Sequence, residues 1–190
     1  MRLKTRQSKN GILKAAARLF RRNGYAATGL NEILAASGAP KGSLYHYFPG
    51  GKDDLGASTV YMAGEMVSNT LRELAATAST PEEFVENYCD RLAHWISLSK
   101  FRDGCPISTI LLEKSGTNEA IRKAGLESFS NWKSVFEDVL LRCNMDQKQA
   151  REKSTLLVSA IQGAILLSRV EQSVTPFEIL KRNCKSLLKQ

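Results

Sequence analysis

Apolar residues recur at three- and four-residue steps along nearly the whole chain, and four of the five prolines, Pro40, Pro81, Pro106 and Pro176, fall where a helix can begin. Proline is tolerated in a first helical turn because its missing N–H has no partner there. Strand signals are missing. Asn10-Gly11, Asn23-Gly24 and Asp103-Gly104 are not flanked by alternating apolar residues, so none reads as a hairpin turn. The expectation is an all-α chain.

The stripes predict helices over residues 8–23, 30–37, 40–48, 52–76, 81–99, 107–114, 118–142 and 146–172, with a last one opened by Thr175-Pro176. Gly24, Gly38 and Pro49-Gly50-Gly51 supply the first stops. Thr80 and Glu83 form a capping box at the fifth helix, each satisfying the other's amide. Residues 156–167 are apolar on nearly all sides and need cover all round.

Charge divides the chain. Residues 1–52 carry ten Lys/Arg and one acid, Glu32, while the rest carries 17 bases and 18 acids. The whole excess of +8 lies in the first quarter, as expected where one part meets a polyanion. A solvated basic face without a partner is the competing reading. An architectural DNA binder would spread its basic charge more widely.

No 18-residue apolar run is present, so no membrane span is expected. The basic start is followed by no apolar signal core, so no secretion leader is expected either. Cys89, Cys105, Cys143 and Cys184 lie far apart with no C-x-x-C pair, which argues against a metal site or a disulfide framework. These points suggest a cytoplasmic protein without metal or cofactor. No G-x-S-x-G, Walker loop or H-E-x-x-H occurs, and no enzyme is expected.

Two short helices separated by Gly38-Ala39 form a helix-turn-helix candidate framed by a longer first helix. In the second, Leu44 and Phe48 face the core. Lys41, Tyr45 and His46 fall on other faces, and Gly42 permits close backbone approach. Tyr45 and Tyr47 offer hydroxyls of the kind that position phosphates, though core packing is an alternative for both. Lys52 sits where free helix amides also favour an anion. Aromatics further on, among them Tyr88, Trp95, Trp132 and Phe136, can be plain core. Ser159, Ala160, Gly163 and Ala164 allow close helix approach, which makes 146–172 and the last helix, with Phe177 and Leu180, the expected dimer faces.

Thr28-Gly29-Leu30-Asn31-Glu32-Ile33-Leu34 followed by Gly38-Ala39-Pro40-Lys41-Gly42-Ser43-Leu44-Tyr45-His46-Tyr47-Phe48 resembles the DNA-binding domain of TetR-family transcriptional regulators. Pro49-Gly50-Gly51-Lys52 and Gly104-Cys105-Pro106 resemble the LmrA-like subgroup. The likeness is specific over residues 8–55 and looser over 56–190. Gly29 and Pro40 stand where the family usually has Ser or Thr.

The resemblance implies a three-helix DNA-binding domain over 1–51 and a helical ligand-binding and dimerisation domain over 52–190. It implies a homodimeric repressor on a palindromic operator in double-stranded DNA, released by a small aromatic or apolar effector. Lys41, Gly42 and Ser43 would lie nearest the bases, Tyr45, Tyr47 and Lys52 on phosphates, and His46 on either. The arm Arg2, Lys4 and Arg6 would reach a minor groove or fray. Met62, Met66, Tyr88, Trp95, Cys105, Trp132, Phe136 and Gln162 would contact the effector. With no flanking basic pair, Cys105 reads more simply as a small buried hydrophobe than as a ligand contact. A ligand-independent regulator and a helical interaction module with an incidental basic end are the alternatives.

Overall fold

The computed structural model describes the backbone of residues 2–188 and the side chains of residues 9–188. Among the described residues nine helices follow one another without a strand: α1 Arg2–Asn23, α2 Leu30–Ser37, α3 Lys41–Tyr47, α4 Lys52–Thr77, α5 Pro81–Leu98, α6 Pro106–Lys114, α7 Glu119–Arg142, α8 Gln147–Glu171 and α9 Thr175–Leu188. The all-α expectation holds, and the boundaries agree within a few residues except at α1. That helix starts at Arg2 rather than residue 8, and the intervening segment contains no Pro or Gly to stop it. The side chains of the proposed arm, Arg2, Lys4 and Arg6, lie outside the described residues.

Local chemistry sets the ends. Gly38 closes α2 at φ +65°, a left-handed conformation that glycine takes without a Cβ penalty. Thr80 caps α5 by accepting the Glu83 amide at 3.1 Å. The Glu83 carboxylate accepts from Ser79 N at 2.7 Å, one residue further back than a reciprocal box with Thr80 would have it. Asp146 caps α8 by accepting from Lys148 N and Gln149 N.

The chain forms two compact units. The first comprises Met1–Glu65 and Cys105–Ser128, the second Met66–Gly104 and Phe129–Gln190. In the first, α1 packs on α2, α3 and α6 around Ile12, Ala16, Phe20, Ile33, Leu44 and Phe48. Leu55, Ile107, Ile110 and Ile121 extend this core. Gly56 allows the close packing: a Cβ there would sit 2.9 Å from the Tyr25 ring and 3.1 Å from Ile121. In the second unit α5, α8 and α9 pack on one another around Phe84, Cys89, Ile96, Leu157, Ile161 and Phe177. Phe136 joins them, its ring 5.0 Å from that of Phe84 and 6.3 Å from that of Tyr88.

The cover expected all round α8 is incomplete within one chain. Leu157, Val158, Ile161, Ala164 and Ile165 are buried, while Leu156, Leu166, Leu167 and Val170 stand in solvent, Val170 at 73% exposure.

Candidate nucleic-acid interface

The residues of α3 and Phe48, which follows it, divide cleanly. Leu44 and Phe48 are fully buried and fix the helix to the first unit. Lys41, Gly42, Tyr45 and His46 are exposed, and Ser43 and Tyr47 are half-buried. Tyr45, at 63% exposure, is no core aromatic. Tyr47 is held more firmly, its ring edge-on to His46 at 4.9 Å and to Phe48 at 6.4 Å. Gly29 and Pro40, preceding α2 and α3, make no side-chain capping bond, so no side-chain cap competes with an anion for their first-turn amides. Lys14 and Arg18 of α1 add exposed positive charge.

Lys52 is engaged within the protein. Its ammonium donates to the Ala26 carbonyl at 3.2 Å and lies 4.6 Å above the Tyr25 ring. Burial lowers its pKa, and the Glu113 and Asp53 carboxylates oppose that shift. An ammonium has three protons, so this contact leaves donors for a phosphate.

Around Lys52 the structure builds a clamp that periodicity could not reveal. Glu113, near the end of α6, accepts from Tyr25 N at 2.8 Å and from Ala26 N at 2.6 Å. The Tyr25 hydroxyl donates to Asp53 Oδ1 at 2.5 Å. Asn118 donates to Asp53 Oδ2 at 2.9 Å, and Lys114 reaches Oδ1 at 3.3 Å. The Tyr25 hydrogen bond, joined by those from Asn118 and Lys114, holds the Asp53 carboxyl below the usual carboxylate range against an opposing effect of burial. Burial first, then Asp53, pushes the Tyr25 phenol far above its ordinary value. The link between α1 and α2 is thus tied to α4, α6 and the start of α7, across as many as 88 positions of sequence.

The residues expected around an effector fall in different places. Met62 and Cys105 belong to the first unit; the other six belong to the second. Tyr88, Trp132 and Phe136 are buried, Trp95 and Gln162 half-buried, and Met66 is 61% exposed. Cys105 is buried ahead of α6. Trp132 stands edge-on to Phe129 at 5.1 Å. Burial pushes the Cys89 thiol up to about 12 and raises that of Cys184, so both are poor nucleophiles.

The residues expected at a dimer face divide similarly. Ser159 is exposed, and Ala160 and Gly163 are half-buried. Ala164, Phe177 and Leu180 are buried in their own unit. The apolar side chains left open on these helices are Leu156, Leu166, Leu167 and Val170 of α8 and Ile179 of α9, which sequence reasoning did not single out. Their signal was an apolar helix with more faces than one chain's core needs.

A short, well-anchored helix with a basic and hydroxyl-bearing outer face, preceded by a second short helix and a glycine turn, defines a helix-turn-helix transcriptional regulator. The chain belongs to the TetR family: the profile described as bacterial regulatory proteins, tetR family, matches residues 12–58, and that of the LmrA/YxaF-like transcriptional regulator C-terminal domain matches residues 81–183. It is 35% identical over 183 residues to the HTH-type transcriptional regulator LmrA of Bacillus subtilis, covering 96% of this chain and 97% of the relative. It is 32% identical over 183 residues to the HTH-type regulator YxaF of the same organism, covering 96% of each. The crystal structure of a TetR transcriptional regulator from Legionella pneumophila superposes with a TM-score of 0.85 at 20% identity, covering 95% of this chain and 97% of that one. The matched relatives are regulators, not enzymes. Among the described residues no helix is long and apolar enough to cross a membrane.

Proposed function

We propose that the chain is a cytoplasmic, homodimeric repressor that holds a palindromic operator and leaves it when a small effector binds. The observation that carries the reading is the outer face of α3, where Lys41, Gly42, Tyr45 and His46 are exposed while Leu44 and Phe48 lock the helix from behind. In this reading Lys41, Gly42 and Ser43 meet base edges, and Tyr45, Tyr47 and Lys52 take phosphates. His46 takes either. The functional division falls near residue 51, where the basic excess ends.

The open apolar strip of α8, with Ser159, Ala160 and Gly163 beside it and Ile179 on α9, supports a second copy as its cover. A two-fold dimer presents two recognition helices, which matches a palindrome. In the second unit Tyr88, Trp95, Trp132, Phe136 and Gln162 are the residues proposed to answer an aromatic or apolar effector.

The test is a gel-shift titration of the purified protein against its own upstream DNA and a scrambled duplex at moderate salt. The reading expects a preference of 10³ or more on the order typical of specific binders. Equal affinity for both duplexes would leave a helical interaction module with an incidental basic end.

A further inference from the structure

A cleft of about 320 Å³ lies in the second unit between the last turns of α4 and the face of α7 opposite them. Its floor is apolar: Ala75 and Val135 are both buried. Its polar wall is Arg72, Asn131, Ser134, Asp138 and Arg142. Ser134, Asp138 and Arg142 follow at four-residue steps, which places them on one face of α7.

Both arginines are held in place by neutral acceptors. Arg142 Nη1 donates to the Ala75 carbonyl at 3.2 Å, a contact favoured near the C-terminal end of a helix. Arg72 Nη1 donates to Asn69 Oδ1 at 2.9 Å. Among the described residues neither guanidinium pairs with a carboxylate, and Asp138 makes no ion pair. Two guanidiniums therefore share the cleft with one carboxylate, and each keeps donors to spare.

We propose that this cleft binds a small organic monoanion: a carboxylate between Arg72 and Arg142, joined to a flat apolar body that lies on Ala75 and Val135. A guanidinium fork matches the planar carboxylate. The apolar floor gives inorganic phosphate nothing to cover. Asp138 repels a dianion more than a monoanion. The volume sits at the small end of ligand sites, which suits a body of one or two rings. The proposal goes beyond the effector reading and does not depend on it, because binding is measured without DNA.

The experiment uses the full chain at low salt and calorimetric titration with benzoate and 2-naphthoate, with benzamide, 2-naphthamide and inorganic phosphate in parallel. The carboxylates should bind about tenfold or more tighter than their amides, and Arg72→Gln should cost about the same factor. Arg142→Lys, which keeps a charge and a donor but loses the fork, should lose several-fold, and Asp138→Asn should tighten binding. Backbone amide signals of Ala75 and Val135 should shift on saturation. Absence of saturable binding by either carboxylate overturns the proposal, as does equal affinity for acid and amide, tighter binding of phosphate, or binding that survives Arg72→Gln and Arg142→Gln together with circular dichroism unchanged. Saturable carboxylate binding that leaves operator affinity unaltered supports the cleft and counts against effector release through it.

Discussion

Replacing Glu113 by glutamine changes one atom group in α6 and should be felt at the operator. The carboxylate accepts two backbone amides, Tyr25 N and Ala26 N, at 2.8 and 2.6 Å. A glutamine has one acceptor oxygen, so one amide loses its partner or faces an NH₂ group. Hydrogen bonds to a charged group contribute roughly 1.5–3 kcal/mol, and the exposed position of Glu113 favours the lower end, so the loss is about 1–2 kcal/mol. For a chain of this length each kcal/mol lowers Tm by about 2–4 °C. Melting followed by circular dichroism should therefore fall by about 2–8 °C. The segment that is released enters α2, so the paired short helices spend less time in the orientation that fits DNA. If that fraction falls to about a third, the apparent operator Kd rises about threefold. Fluorescence anisotropy across a salt series measures this. The salt slope should not change, since no phosphate contact is removed. Unchanged Tm and operator affinity in Glu113→Gln would refute the clamp; a changed slope would make Glu113 part of the DNA surface instead.

Lys41→Ala should relax preference at particular base pairs and leave Tm alone. Lys52→Ala should weaken all sequences about equally, lower the salt slope by roughly one, and also lower Tm because its ammonium holds the Ala26 carbonyl. Gly163→Leu should yield monomer in sedimentation while the fold persists, since a Cβ at Gly163 meets nothing within 4 Å in the single chain; a normal dimer would move the interface elsewhere. Tyr25→Phe should raise the Asp53 pKa toward the ordinary carboxylate value, read by NMR titration, because the phenol is the largest cause of its depression. A depressed folded pKa means that Asp53 stabilises the fold above the unfolded value of about 3.9 and that this is lost as pH falls through the folded value. The stability gap between wild type and Tyr25→Phe should accordingly be full near neutrality and narrow in acid.

The helices from α2 onward, the Thr80 cap of α5 and the basic quarter of the chain were determined by the sequence alone, because they depend on neighbours three or four residues away and on charge counts. The same local spacing put Leu44 and Phe48 inward and left Lys41 and His46 outward. For Tyr45 it left two readings open, and packing chose between them by leaving the ring 63% exposed. Phe177 and Leu180 show the opposite outcome: an apolar stripe on α9 says that a face is covered, and only tertiary structure says that the cover is its own chain. On α8 the apolar residues exceed what α5 and α9 can bury, so Leu166 and Val170 remain open. The Tyr25–Asp53–Glu113–Asn118 clamp and the paired arginines of the α4–α7 cleft were decided wholly by tertiary structure. Their members lie as far as 93 and 70 residues apart. Each is an ordinary polar residue in its own helix or link, and no periodicity marks which polar groups folding will bring together.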